Sequence, residues 1–341
     1  MDSNADAMQP ESEVHMHSLI PVDRVEIQVL VDNATDGLST VSSHAESEFA
    51  YLARRGMRQL AGEHLCCACH GLSYFITAHR GAIQHTVLFD SGPEEYAFQR
   101  NVQTLGLDMG TVESIVLSHG HWDHAGGMLK ALDLARNRNG GRPVPYYAHP
   151  GMFRSRARRL SSGRMLPSKD VPNIDTLTAH GACVINTVDP QIFLDGMFCV
   201  SGEIPRVTLF EQGLAEHYQR TSDGQAWEPD PWIIDERCLI INVEGKGLIV
   251  FTACSHAGVI NVLKHAHGCY PKRPIYAVMG GFHLAGPNQP LVPETVEAMK
   301  AFNIQLIAAG HCTGWRAITA LAYAFGDTVV DPSVVGKRFT L

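Results

Sequence analysis

The sequence predicts an α/β protein built as an αββα sandwich, two mixed β-sheets packed face to face with helices on both outer sides. Short β-branched runs of strand length alternate with longer segments of helical pattern, the order that covers sheets with helices. The alternation occurs twice, before Gly151 and again from Cys238, which supplies one sheet per half. Hydrophobic residues make up 45% and charged residues 18% of the 341, so a large core can be buried and the composition is far from that of a disordered chain.

The elements follow in order. Residues 1–22 read as a loose arm that includes His15 and His17, to which no role is assigned, and residues 23–341 as a single catalytic domain. Arg24–Val31 alternates apolar and polar positions as a strand does. Glu46–Leu60 has a helical pattern, and Leu72–Ala78 and Thr86–Phe89 read as strands, the second running into Asp90-Ser91-Gly92. After a helix over Glu94–Thr104, the β-branched run Ile115–Leu117 reads as a buried strand that delivers the chain into His119. A helix over His124–Arg136 and a strand over Val144–Ala148 close the first half.

From about residue 151 to 189 periodicity is lost, and an irregular insertion rich in arginine is expected there. The second half gives strands at Cys238–Val243, Gly247–Thr252, Ile275–Val278 and Gln305–Ala308, and helices at Val259–His267, Pro293–Phe302 and Trp315–Phe325. No Pro/Gly/Ser-rich linker and no repeat of 20–50 residues divides the chain.

The formal charge of −8 repels a phosphate backbone, so nucleic acid is not an expected partner and a small-molecule substrate is. No apolar run approaches the ~20 residues that span a bilayer, and Met1–Glu13 is acidic where a secretory signal would be basic and then apolar. The expectation is a cytoplasmic protein without membrane contact. Its nine scattered cysteines then remain thiols. Cys66-Cys67-Ala68-Cys69-His70 matches the C-x-x-C-H pattern of haem attachment, but without an export signal the better reading is a loop that brings His70 near the site.

The densest chemistry lies in Ser118-His119-Gly120-His121-Trp122-Asp123-His124-Ala125-Gly126-Gly127. Buried polar rings without partners are costly, so imidazoles so crowded call for a ligand. In extended chain His119 and His121 point the same way, while Asp123 and His124 begin the next helix and turn toward a second point. The pattern predicts two adjacent divalent transition-metal ions, zinc by preference, with manganese or iron also compatible.

This run resembles the H-x-H-x-D-H signature of the metallo-β-lactamase superfamily. Leu88-Phe89-Asp90-Ser91-Gly92 is similar to the family's first motif, whose aspartate stands behind the metal-binding loop, and Gly310-His311 to the last, which supplies a late histidine ligand. The segments His70–Ser73, Ser201–Arg206, Ala253–Gly258, Gly280–Leu284 and His311–Gly314 resemble one branch, proteins similar to a dihydropterin-related ribofuranosylaminobenzene-phosphate synthase. The resemblance spans roughly residues 24 to 325.

The chain departs from the family pattern in its second half. Glu203 stands where the third motif has histidine, and Cys254 follows Gly247–Thr252 where the bridging aspartate is expected. His256, Cys254 or Glu203 could complete the shell, with His256 and His311 favoured. His283, after two glycines, is either a ligand or a supporting histidine. The resemblance implies a hydrolase in which His119, His121, His124, His256 and His311 hold two metals and Asp123 is both ligand and orienting base. Arg206 is a candidate for orienting an anionic substrate, and the insertion's arginines either grip phosphate or form a solvated face. Competing readings are redox or bond-cleaving chemistry on iron or manganese, and a metal-bearing sensor without turnover.

Overall fold

The computed structural model describes residues 19–341; His15 and His17 lie outside the described residues. Its larger sheet has eight strands in the order Ala45–Glu46, Arg338–Thr340, Arg24–Val31, Ser73–Arg80, Ile83–Phe89, Val112–Val116, Val144–Ala148, Ala182–Asn186. The second has six, in the order Gln191–Phe193, Phe198–Val200, Leu239–Val243, Gly247–Thr252, Ile275–Gly281, Leu306–Gly310. Both are mixed. Ile83–Phe89 runs parallel to Val112–Val116, and Gly247–Thr252 to Ile275–Gly281, while each also has an antiparallel neighbour on its other side.

The four layers follow from the two-residue period of the strands. Val87, Phe89 and Val116 face Leu239, Ile241, Ile249, Phe251, Ala277 and Met279 in a core between the sheets. Leu88 and Ile115 point the other way, onto Phe98, Val102 and Leu105 of helix Glu95–Leu105 and Ala131, Leu132 and Ala135 of helix Met128–Arg138. Ile240, Val250, Val278 and Ile307 likewise meet Val262 and Leu263 of helix Val259–Cys269, Met299 of Val292–Lys300 and Leu321 of Trp315–Phe325. The αββα sandwich is thus the observed architecture.

Several boundaries differ from expectation. The expected arm is anchored where it is described: Val22 is fully buried and bridges to Val243, and Leu19 packs on the second sheet's outer core. The helix expected over His124–Arg136 is two helices, Trp122–Ala125 and Met128–Arg138. They break at Gly126-Gly127, where the backbone lies against Pro93, Glu94 and Ser91.

The stretch expected to be irregular is ordered. Arg156–Arg159 and Met165–Pro167 join His217–Arg220 and Trp227–Pro229 in a four-stranded sheet, and Ile174–Ala179 is a helix leading to the edge strand Ala182–Asn186. Its arginines are largely spent on this sheet's own groups: Arg154 on Glu228, Arg156 on Asp230 and Asp235, Arg158 on Glu216, and Arg159 over the Tyr218 ring. Periodicity fails there because the strands are three or four residues long and half-exposed.

Candidate metal centre

The loops that leave the strand ends of both sheets meet in one crevice, and a buried carboxylate holds most of them. Asp90, fully buried with φ 59°, accepts Ser118 N at 2.8 Å, Ser118 Oγ at 2.7 Å and His124 Nδ1 at 2.7 Å. Asp235 accepts Gly120 N at 2.8 Å and pairs with Arg156. Glu236 accepts His256 N at 2.8 Å and Ala257 N at 2.7 Å. Asp32 accepts His311 N at 2.9 Å and Ser333 Oγ at 2.9 Å. Burial pushes Asp32 up to about 6 and Glu236 up to about 7, as expected for carboxyls withdrawn from water.

Four overlapping donor groups result among the described residues, two of them without thiols. His119, His121 and His256 offer three ligand atoms within 4.8 Å of one another, as do His70, Asp123 and His311. In the first, His119 Nε2 and His121 Nδ1 face each other at 3.0 Å, while Ser118 Oγ holds the other nitrogen of His119 at 2.9 Å. In the second, Asp123 Oδ2 sits 3.4 Å from His70 Nε2, 3.4 Å from His311 Nε2 and 3.7 Å from His124 Nε2. Cys254 lies between the groups, 3.3 Å from His124 Nε2 and clustered with His119 and His124.

The protonation states suit cations. Burial holds His119, His121 and His256 well below the usual imidazole range, so their lone pairs are free at neutral pH. For Asp123 burial alone would raise the carboxyl, but the His124, His311 and His70 rings around it hold it well below the usual range. For His124 burial is outweighed by Asp123 and Asp90, which lift it to about 9. Nε2 of His256 and of His311, Nδ1 of His283 and Nδ1 of His217 are buried without partners. Each such atom costs roughly 1–3 kcal/mol, and their convergence is what a metal would relieve.

His119, His121, Asp123, His124, His256 and His311 are therefore brought together, with Cys254 among them, His70 at the solvent edge and Asp90 behind. Glu203 is not: it is half-exposed and paired with His149 Nε2 at 3.1 Å, outside the donor groups. Arg206 donates through its two Nη atoms to the carbonyls of Ile204, Trp232 and Ile233, while its Nε is buried without a partner. The free cysteines at 66, 67 and 69 line the neighbouring loop that presents His70.

Sequence reasoning passed over Asp32, Asn33, His217, Asp235, Glu236 and Cys312. Asn33 orients two ligand candidates, contacting His70 Nδ1 at 3.1 Å and His311 Nδ1 at 3.0 Å. Asp32 carried a legible signal, since it follows strand Arg24–Val31 as Asp90 follows Ile83–Phe89. His217 carried none. It arrives from the four-stranded sheet, its ring 5.4 Å from that of His121 and 5.3 Å from that of His256.

Residues 85–193 match the family model described as a β-lactamase superfamily domain. The chain is 27% identical over 250 residues to 7,8-dihydropterin-6-methyl-4-(β-D-ribofuranosyl)-aminobenzene-5'-phosphate synthase of Methanocaldococcus jannaschii, covering 73% of this chain and 82% of that protein. Among solved structures it resembles a metal-dependent hydrolase of the β-lactamase superfamily, with a TM-score of 0.66 at 19% identity over 93% of this chain and 98% of that one. It also resembles unliganded yeast PDE1, with a TM-score of 0.52 at 9% identity over 94% of this chain and 100% of that one. These likenesses, with the sandwich and the histidine-rich loop at the ends of its strands, show that the chain has the metallo-β-lactamase fold, with a β-lactamase superfamily domain matched over residues 85–193.

Proposed function

We propose that the crevice is a dinuclear metal centre and that the protein is a metal-dependent hydrolase of a small ester, lactone or phosphorylated substrate. The observation that supports this most strongly is the pair of adjacent donor groups, His119–His121–His256 and His70–Asp123–His311, with unpartnered Nε2 atoms on His256 and His311. The mixed imidazole and carboxylate donors suit zinc, and manganese or iron(II) as well.

Two divalent cations held there would supply a water of lowered pKa and polarise the bond it attacks. This chain's residues do the rest. Asp123, held ionised by its imidazole neighbours, is available as a ligand and orients the nucleophile. His124 must give up its proton to serve as a ligand, and Asp90 at its Nδ1 keeps the ring aimed when it does.

A second reading draws support from the methanogen protein, whose name denotes a synthase of a phosphorylated ribofuranosyl compound; the same centre then acts on such a substrate in bond formation. Elemental analysis of anaerobically purified protein tests the metal content, about two ions per chain being expected for a two-metal centre. Hydrolysis of an ester, lactone and phosphoester panel is expected to stop with chelator and to return with Zn²⁺, Mn²⁺ or Fe²⁺. His256→Ala is expected to lose metal at one of the two positions, and Cys254→Ser to lose less. A folded protein that takes up no transition metal on reconstitution would overturn the reading.

A further inference from the structure

Three neighbouring parallel strands end side by side at this crevice, at Thr252, Gly281 and Gly310, and the residue two places beyond each end is Cys254, His283 and Cys312. The register, with Thr252 opposite Gly280 and Gly281 opposite Gly310, keeps the three exits in line. Each exit also turns through a non-glycine residue of positive φ, Ser255 at 58°, His283 at 44° and His311 at 46°. The outcome is another group of donor atoms, one each from Cys254, His283 and Cys312, within 4.8 Å of one another.

We propose that Cys254, His283 and Cys312 form a further metal-binding position, rich in thiolate and selective for a thiophilic divalent cation. It rests on the same reading of the crevice as a metal centre, shares Cys254 with it and adds His283 and Cys312, so that full loading exceeds the two ions of that centre. Both thiols are free, and Nδ1 of His283 is buried with no partner. Cys312 Sγ donates to the Cys254 carbonyl at 3.5 Å, and the two sulfurs lie within 4.8 Å of each other. A Cβ on Gly281 would come within 2.6 Å of Cys312 Sγ, so glycine there is what lets the sulfur approach the strand end.

The chemistry differs from that of the other two groups. Two thiolates and an imidazole are soft donors that favour zinc and its mimics over magnesium or manganese, and buried thiolates need a cation beside them. Three protein donors leave one place of a tetrahedral shell open. A small cleft lined by Glu211, Ser255, His256 and Asn288 reaches the His283 member of this group. Cys254 also faces His124 Nε2 at 3.3 Å, which links the position to the histidine groups.

The test uses the full-length protein, stripped of metal under reducing, anaerobic conditions and titrated with Co²⁺. A thiolate-to-cobalt charge-transfer band is expected to grow in the near ultraviolet. Cys312→Ser, and separately His283→Ala, should weaken Co²⁺ binding at this position by at least ~10-fold, the lower range for losing even an outer partner of a ligand, and should diminish the band while visible cobalt absorption from the histidine groups persists. In the wild-type protein, which avoids variants that misfold, Cd²⁺ should slow alkylation of the partly exposed Cys312 and leave the exposed Cys183 unaffected. Co²⁺ uptake without a charge-transfer band, a band unchanged in Cys312→Ser, alkylation indifferent to Cd²⁺, or isolation of the pair as a disulfide that survives reduction would each overturn this position while leaving the hydrolase reading standing. Failure to take up any Co²⁺ would overturn both.

Discussion

Replacing Asp90 with asparagine removes charge and one acceptor from beneath the metal-binding loop while keeping shape. Asparagine tolerates the positive φ of 59° at this position, so backbone strain does not enter. Oδ1 accepts Ser118 N, whereas Oδ2 accepts both Ser118 Oγ and His124 Nδ1. Whichever way the amide turns, its NH₂ faces a donor. With Oδ1 kept on Ser118 N, the Ser118 hydroxyl rotates toward His119 Nδ1, already 2.9 Å away, but His124 Nδ1 is left without an acceptor in a fully buried place. Losing this one hydrogen bond to a charged group and orphaning its buried donor costs ~1.5–3 kcal/mol. Urea unfolding of chelated wild type and Asp90→Asn measures this without metal. Competition with a chromophoric chelator should show metal affinity lower by ~10–100-fold, because nothing then holds the His124 ring. A variant within ~1 kcal/mol of wild type and of unchanged affinity would refute the role given to Asp90.

Asp123→Asn should leave unfolding almost unchanged but lower turnover by at least ~10²-fold, measured on whichever substrate the panel identifies; near wild-type turnover would reduce Asp123 to a structural part. Gly126→Ala suits the backbone, since φ is −65°, yet its Cβ would strike the Pro93 carbonyl and the Glu94 nitrogen. These are backbone atoms that cannot swing aside, so the clash outweighs the ~1 kcal/mol gain in helix propensity, and a net loss of ~1–3 kcal/mol is expected in thermal melts. His217, lowered by burial to about 3, stays neutral in the folded chain while the unfolded chain takes up its proton below about pH 6.5. Its contribution is therefore whole above pH 6.5 and lost as pH falls toward 3, at about 1.4 kcal/mol per pH unit. Metal-free wild type should lose ~2–3 kcal/mol more than His217→Asn between pH 6.5 and 4.5, and parallel pH profiles would contradict this.

What the sequence by itself determined is what is local. Alternation along the strands decides which side chains face the inter-sheet core, because neighbouring residues point to opposite faces. Four ligand candidates packed between His119 and His124 declare a metal site without reference to the rest of the chain, and Asp90 declares itself by following a strand end. Tertiary structure decided everything that depends on which strand lies beside which. His256, His283, Cys312 and His217 come from separate loops, and their convergence follows from the parallel order of Gly247–Thr252, Ile275–Gly281 and Leu306–Gly310 and from a four-stranded sheet too short to show a period. Glu203 and Arg206 had the right chemistry for the site, but one meets His149 and the other donates to the carbonyls of Ile204 and Trp232. A charged side chain takes the nearest partner that satisfies it in the folded chain, and that partner is set by contacts across the sandwich rather than by spacing along the sequence.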